Sequence, residues 1–236
     1  MTATTRECVG ADTAHAPATG IVAFETRSRG LPFGAVIDAA RFPTTAAYLA
    51  SLPLGAKSYP THLAKASLYR KALDEMPLTN LRGALPDEIV TLVEEPVPMS
   101  SWISQAAWRG LMRAIYDTHF GDEESYRAWI FRSNRSMFES PMYSILMRVI
   151  SPGALLRGAE LRWETFHRGI TLKVSPTGND GALLTLRYPG ALLDAFDLRV
   201  HTEAFRAAID AAGGRDITMD VAVRTPGHAE FTTRWR

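Results

Sequence analysis

Cysteine is almost missing from this chain. Cys8 is the only one in 236 residues, which excludes an internal disulfide and any cysteine-based metal cluster. It lies in the Ala- and Thr-rich stretch 1–19, which reads as a disordered tail and is poor ground for a catalytic nucleophile. An excess of one charge is missing too. Lys and Arg number 26 against 25 Asp and Glu, a formal net charge of +1. Nothing in that balance calls for nucleic acid or an anionic membrane as a partner. No apolar run is long enough to span a bilayer, and the tail holds no apolar stretch of signal-peptide length. The expectation is a cytoplasmic protein with no membrane span.

The usual chemical signatures are also lacking. There is no Gly-x-Ser-x-Gly, no Ser-x-x-Lys, no Gly-x-Gly-x-x-Gly and no Walker pattern. The histidines (His15, His62, His119, His167, His201 and His228) never fall at His-x-x-x-His spacing. His119 is the most helical candidate for an axial haem ligand, but a histidine at a helix end is favoured by the macrodipole anyway. His167 and His201 can approach each other at one end of a sheet. The acid pair Glu123-Glu124 follows Asp122 at a helix start, which is again dipole chemistry.

What is present is ordinary globular composition, 46% hydrophobic and 22% charged, enough for a sizeable core. The clearest pattern runs from Gly169 to Trp235. Ile170, Leu172 and Val174 alternate with Thr171 and Lys173, the period of a half-buried strand. Gly178-Asn179-Asp180-Gly181 is turn chemistry, and a second strand, Ala182–Tyr188, follows. A helix then carries Phe205, Ala208, Ile209 and Ala212 on one face and stops at Gly213-Gly214. Two more strands, Ile217–Arg224 and Ala229–Trp235, hinge at Thr225-Pro226-Gly227.

The preceding part reads as mostly helical. A short helix through Leu52 takes its cap from Thr44 or Thr45. Pro60 opens a helix over Thr61–Met76, and Asp87–Val93 forms another. Ser100 or Ser101 caps a long helix through Thr118, with Trp108 beside its apolar face. Helices follow over 123–134, 141–150 and 154–166, with Pro152 either ending one helix or opening the next. Earlier still, 21–26 and 31–37 alternate like strands of an edge hairpin. The fold class is therefore α/β in content and α+β in arrangement: helices on one face of a mostly antiparallel sheet, closed by a β-β-α-β-β unit. The domain plan is a tail, 1–19, and one α+β domain, 20–236, helical over about 44–166 and sheet over about 167–236.

One stretch stands out chemically. Trp129, Phe131, Met137, Phe138, Met142, Tyr143 and Met147 crowd together. Methionine and aromatics line adaptable apolar pockets, and they also fill cores. Arg127, Arg132, Arg135 and Arg148 flank the stretch. They can hold a carboxylate or phosphate, or else face water and pair with Asp122, Glu123, Glu124 and Glu139.

Met99-Ser100-Ser101-Trp102-Ile103, the long helix, Tyr143-x-x-Leu146-x-x-Val149-Ile150-Ser151-Pro152, Trp163, Gly169 and Thr233-Arg234-Trp235 carry a resemblance to a family of myxobacterial paralogues, over roughly 20–236. The order of elements also resembles the wider superfamily of four-vinyl-reductase domains, haem nitric-oxide-binding domains and Golgi transport-complex subunits. That resemblance implies helices on a twisted antiparallel sheet and, as in several members, an apolar ligand between the layers. Two departures stand against haem. Tyr126-Arg127-Ala128 and Tyr143-Ser144-Ile145 do not fit Tyr-x-Ser-x-Arg, and no proximal histidine matches. The cofactor therefore stays unknown, and fold similarity does not fix function.

Three readings compete. The first is a non-catalytic regulatory protein that binds a small apolar molecule or a partner, its pocket lined by Trp129, Met142, Tyr143, Met147 and Trp163. The second is a homodimer or structural module that pairs through an exposed edge, either the strand near Ile21 or the terminal strand. The third is an enzyme on an apolar substrate with His167, Glu164 or His201 as acid or base.

Overall fold

The computed structural model describes residues 37–139 and 149–236. In its C-terminal third, alternation and turn chemistry do what the pattern predicts. β4 (Thr171–Pro176) and β5 (Gly181–Arg187) form one hairpin. β6 (Thr218–Thr225) and β7 (His228–Arg234) form another. The four strands pair antiparallel in the order β4-β5-β7-β6. Register places Leu172 opposite Leu186, Leu184 opposite Phe231, and Phe231 opposite Val221. One face is thus apolar and buried, while Thr171, Lys173, Thr232 and Arg234 face water. α8 (Ala195–Ala211) crosses between the hairpins and packs against β6. A capping box starts it: the Asp194 carboxylate accepts from the Asp197 N–H, and Asp197 accepts from the Asp194 N–H.

The second hairpin depends on one glycine. Thr225 pairs with His228, so the loop is Pro226-Gly227 alone. Proline sets the first turn position, and Gly227 takes φ +82° at the second. A Cβ there would stand 2.8 Å from the Tyr188 carbonyl oxygen. Gly227→Ala should cost about 1–3 kcal/mol, the penalty of a strained αL residue. A urea midpoint unchanged by the substitution would contradict this turn.

The helical part differs from its sequence reading in instructive ways. α1 (Pro43–Ser51) starts on Pro43, whose missing N–H suits the first turn. Thr44 and Thr45 do not cap it; both hydroxyls donate to Asp117. Residues after Pro60 do not begin as a helix. Leu63–Lys65 is β1, and α2 runs only over Ala66–Glu75. α3 is Asp87–Glu94, as expected. Trp102–Ser104 is β2, so Ser104 rather than Ser100 or Ser101 caps α4 (Gln105–His119), accepting from the Ala107 N–H at 3.3 Å. α5 (Glu123–Glu139) is longer than predicted. Pro152 opens α6 (Pro152–Arg157) behind a Ser151 cap, and Gly158 separates it from α7 (Ala159–Phe166). His167–Arg168 is β3; it joins β1 and β2 in a second small sheet, order β2-β1-β3, at the starts of α2 and α4.

One buried cluster runs from Phe42, Tyr48 and Tyr69 through Leu111 and Tyr126 to Leu184 and Phe231. Residues 42–76 therefore share the core of the sheet. β7 lies inside the sheet between β5 and β6, so the terminal strand offers no free edge for a second copy. That correction follows from strand order, which alternation alone does not reveal. The expected strand 21–26, most of 31–37, residues 141–148 of the expected 141–150 helix and Cys8 lie outside the described residues. Among those residues no helix is long and apolar enough to cross a membrane.

Candidate functional site

α2, α4, α5, α7 and α8 line a partly open cavity of ≈ 140 Å³, close in volume to an engineered apolar cavity that admits benzene. Trp108 and Met112 come from α4. Tyr126, Trp129, Ile130 and Met137 come from α5, Trp163 from α7, and Phe196, Val200 and Phe205 from α8. Trp129 is buried, tilted against Tyr126 and Phe120, and its indole N–H donates to Glu75 Oε2 at 2.8 Å. Trp163 donates to the Ile170 carbonyl at 2.9 Å, and its ring stacks on His167 at 4.0 Å. Both of these predicted site residues therefore sit on the cavity wall with their N–H groups already bonded. Met142, Tyr143 and Met147, the other three, lie outside the described residues.

A polar cluster occupies the same cavity between α4 and α8. Two residues on each helix, four apart, face one another: Arg109 and Arg113, Asp197 and His201. Arg113 grips Asp197 with both forks, Nη1 to Oδ1 at 3.1 Å and Nη2 to Oδ2 at 2.8 Å. Asp194 adds a second carboxylate at 2.8 Å. Arg109 reaches Asp197 only at 3.8 Å and instead donates through Nη2 to His201 Nε2 at 3.1 Å. His201 donates from Nδ1 to the Asp197 carbonyl at 2.7 Å. On the other side, the small sheet holds His167 opposite Ala64. The Gln105 amide donates both to the Leu63 carbonyl at 3.1 Å and to His167 Nδ1 at 2.9 Å. The first contact orients the amide, so His167 accepts at Nδ1 and carries its proton on Nε2.

Electrostatics follow from burial. Burial drives the His201 pKa down to about 3, and the Arg109 charge pushes the same way. His167 is held well below the ordinary histidine value by burial, then by Arg109 and His201. Both are neutral imidazoles. Burial alone would raise the Asp197 carboxyl, but Arg113 and Arg109 more than offset it and keep it below the usual range. Burial also lowers Arg109.

Arg109 and Arg113 are not among the residues that the sequence singles out. Their signal was the i, i+4 spacing on the apolar side of α4, matched by Asp197 and His201. Arg127 pairs with Glu203 on α8 rather than with the acids near it in sequence, while Arg135 pairs with the expected Glu139 at 2.9 Å and also with Asp210 on α8. Glu164 is exposed. His119 is exposed too, its Nε2 2.9 Å from the Pro77 carbonyl.

No family model and no curated protein matches this chain. Among solved structures, it is similar to one described as an H-NOX protein from S. oneidensis in the Fe(II)NO ligation state, at 9% identity and TM-score 0.48, covering 73% of this chain and 99% of that one. It is also similar to the Fe(II) unliganded H-NOX protein from K. algicida, at 8% identity and TM-score 0.45, covering 73% and 96%. A structure described under H-NOX activation is similar at 8% identity and TM-score 0.49, covering 72% and 94%. These are likenesses only. The described residues do not suit haem. The cavity is benzene-sized, and the lone pairs of His167 and His201 are taken by Gln105 and Arg109. No group of three or more metal-ligating side chains assembles among them.

Proposed function

We propose that this chain is a non-catalytic binding protein that takes a small, mostly apolar molecule between α2, α4, α5, α7 and α8 and acts in regulation. The observation that carries this reading is the cavity itself, walled by the rings of Trp129, Trp163 and Phe205. Trp129, Met142, Tyr143, Met147 and Trp163 remain the proposed ligand-lining residues. An acid–base enzyme is less well supported, although His167 and His201 do line the cavity. A general base needs a free lone pair within reach of its proton, and both imidazoles spend theirs on protein donors.

Toluene is a suitable first probe. At concentrations approaching its aqueous solubility it should raise the melting temperature and protect α5 and α8 from hydrogen exchange. Ala204, which lines the cavity, can be enlarged: Ala204→Phe should abolish both effects. Unchanged melting and exchange with toluene in the parent protein would defeat the reading.

A further inference from the structure

The cavity wall has an unbalanced set of hydrogen-bonding groups. Trp108 Nε1–H and Arg109 Nε–H are buried without a partner among the described residues, and both residues line the cavity. They are neighbours in space as well as sequence, the guanidinium carbon lying 4.3 Å from the centre of the Trp108 ring. His167, 5.9 Å from Trp108 between ring centres, presents a third donor at Nε2, since its Nδ1 accepts from Gln105. Buried donors in native folds are rarely left unpaired, and an absent ligand or water is one ordinary reason when they are.

The nearby acceptors are already used. Both Asp197 oxygens serve Arg113, and His201 Nε2 serves Arg109. A further unpartnered buried atom, Gln105 Oε1, is an acceptor, but Gln105 does not line the cavity. Charge points the same way. Two buried arginines face one fully buried carboxylate, and Arg113 holds it in bidentate fashion; Asp194, half-exposed, also goes to Arg113. Arg109 has no carboxylate of its own. A carboxylate is a small group that is anionic, accepts only and can be carried on an apolar body.

Building on the apolar-cavity reading, we propose that the ligand is a small carboxylic acid bound as its anion. Its carboxylate is held by Arg109 and Trp108, and its apolar body lies against Trp129, Trp163 and Phe205. The ≈ 140 Å³ volume suits a body of about one aromatic ring or a short branched chain.

The test compares three probes on the full chain at pH 7.5 by titration calorimetry: benzoate, the near-isosteric neutral benzamide, and toluene. Benzoate should bind at least tenfold more tightly than benzamide. Trp108→Phe keeps an aromatic wall and removes the indole donor; it should weaken benzoate several-fold more than it weakens toluene. Arg109→Met should erase the preference for benzoate. If that variant does not fold, Trp108→Phe decides alone. Benzamide binding as well as benzoate, or Trp108→Phe weakening both probes alike, would overturn the carboxylate assignment. Toluene binding without benzoate would overturn it too, while leaving the apolar cavity intact. Binding by none of the three would overturn both readings.

Discussion

Arg113→Met is expected to destabilise the fold by about 3–5 kcal/mol, the usual cost of stranding a buried charge. Asp197 is buried, and its two close charge-assisted bonds come from Arg113. Without them its remaining cation is Arg109 at 3.8 Å. The Arg113 guanidinium also lies 3.8 Å over the Tyr48 ring and 5.1 Å from the centre of Phe196, so its loss removes packing between α1, α4 and α8. Urea denaturation would read the effect as a large fall in midpoint. Adding Asp197→Asn should recover part of it. The amide is neutral, and its oxygen still accepts from the Asp194 N–H at the start of α8. An Arg113→Met midpoint within experimental error of the parent would mean that this pair does not bridge the helices. The consequence reaches the site, because the Asp197 carbonyl orients His201.

The parts of this arrangement that could be read from sequence are those whose signal is local. Residues 170–174 alternate over enough positions to show a strand with one wet face, and Pro226-Gly227 names its own turn. β1 and β2 are three residues each, too short for a period to appear. A periodicity reading absorbs them into the helices they precede, and with β2 it displaces the cap of α4 from Ser104 to Ser100 or Ser101. The cavity was half legible. Trp129 and Trp163 are conspicuous as large rings, and a ring is apolar in any fold. The charged cluster was illegible for a different reason. Charged residues ordinarily face water, and what reverses this for Arg109 and Arg113 is a partner on α8, far along the chain. Strand order had the same non-local character: nothing in residues 228–234 tells whether that strand ends a sheet or lies within it. The unpaired indole N–H of Trp108 is further still from sequence, since an orphan donor exists only once every neighbour is placed.

Acid should loosen this fold before its carboxylates titrate. His201, near 3 in the folded chain, returns to about 6.5 when unfolded. A folded pKa below the unfolded one means that the unfolded chain binds protons first as pH falls. The stabilising contribution is thus complete above about pH 6.5 and shrinks as pH drops toward the folded value. At pH 5 the loss from His201 is about 2 kcal/mol. His167 is shifted in the same direction by the same burial and adds to it. Asp197 does not compensate in this range, because the two arginines keep it ionised. Stability by urea denaturation should therefore be level from pH 8 to 6.5 and then decline. His201→Gln should make the decline shallower, since it removes one of the two titrating groups. A level profile down to pH 5 would show that the imidazoles are not held neutral in the interior. The bound carboxylate proposed above sharpens the experiment. An anion beside Arg109 offsets the charge that helps depress both histidines, so their folded values should rise toward 6.5. Protein saturated with benzoate should then lose less stability between pH 6.5 and 5 than protein saturated with toluene. Equal slopes would mean that the carboxylate does not sit beside Arg109.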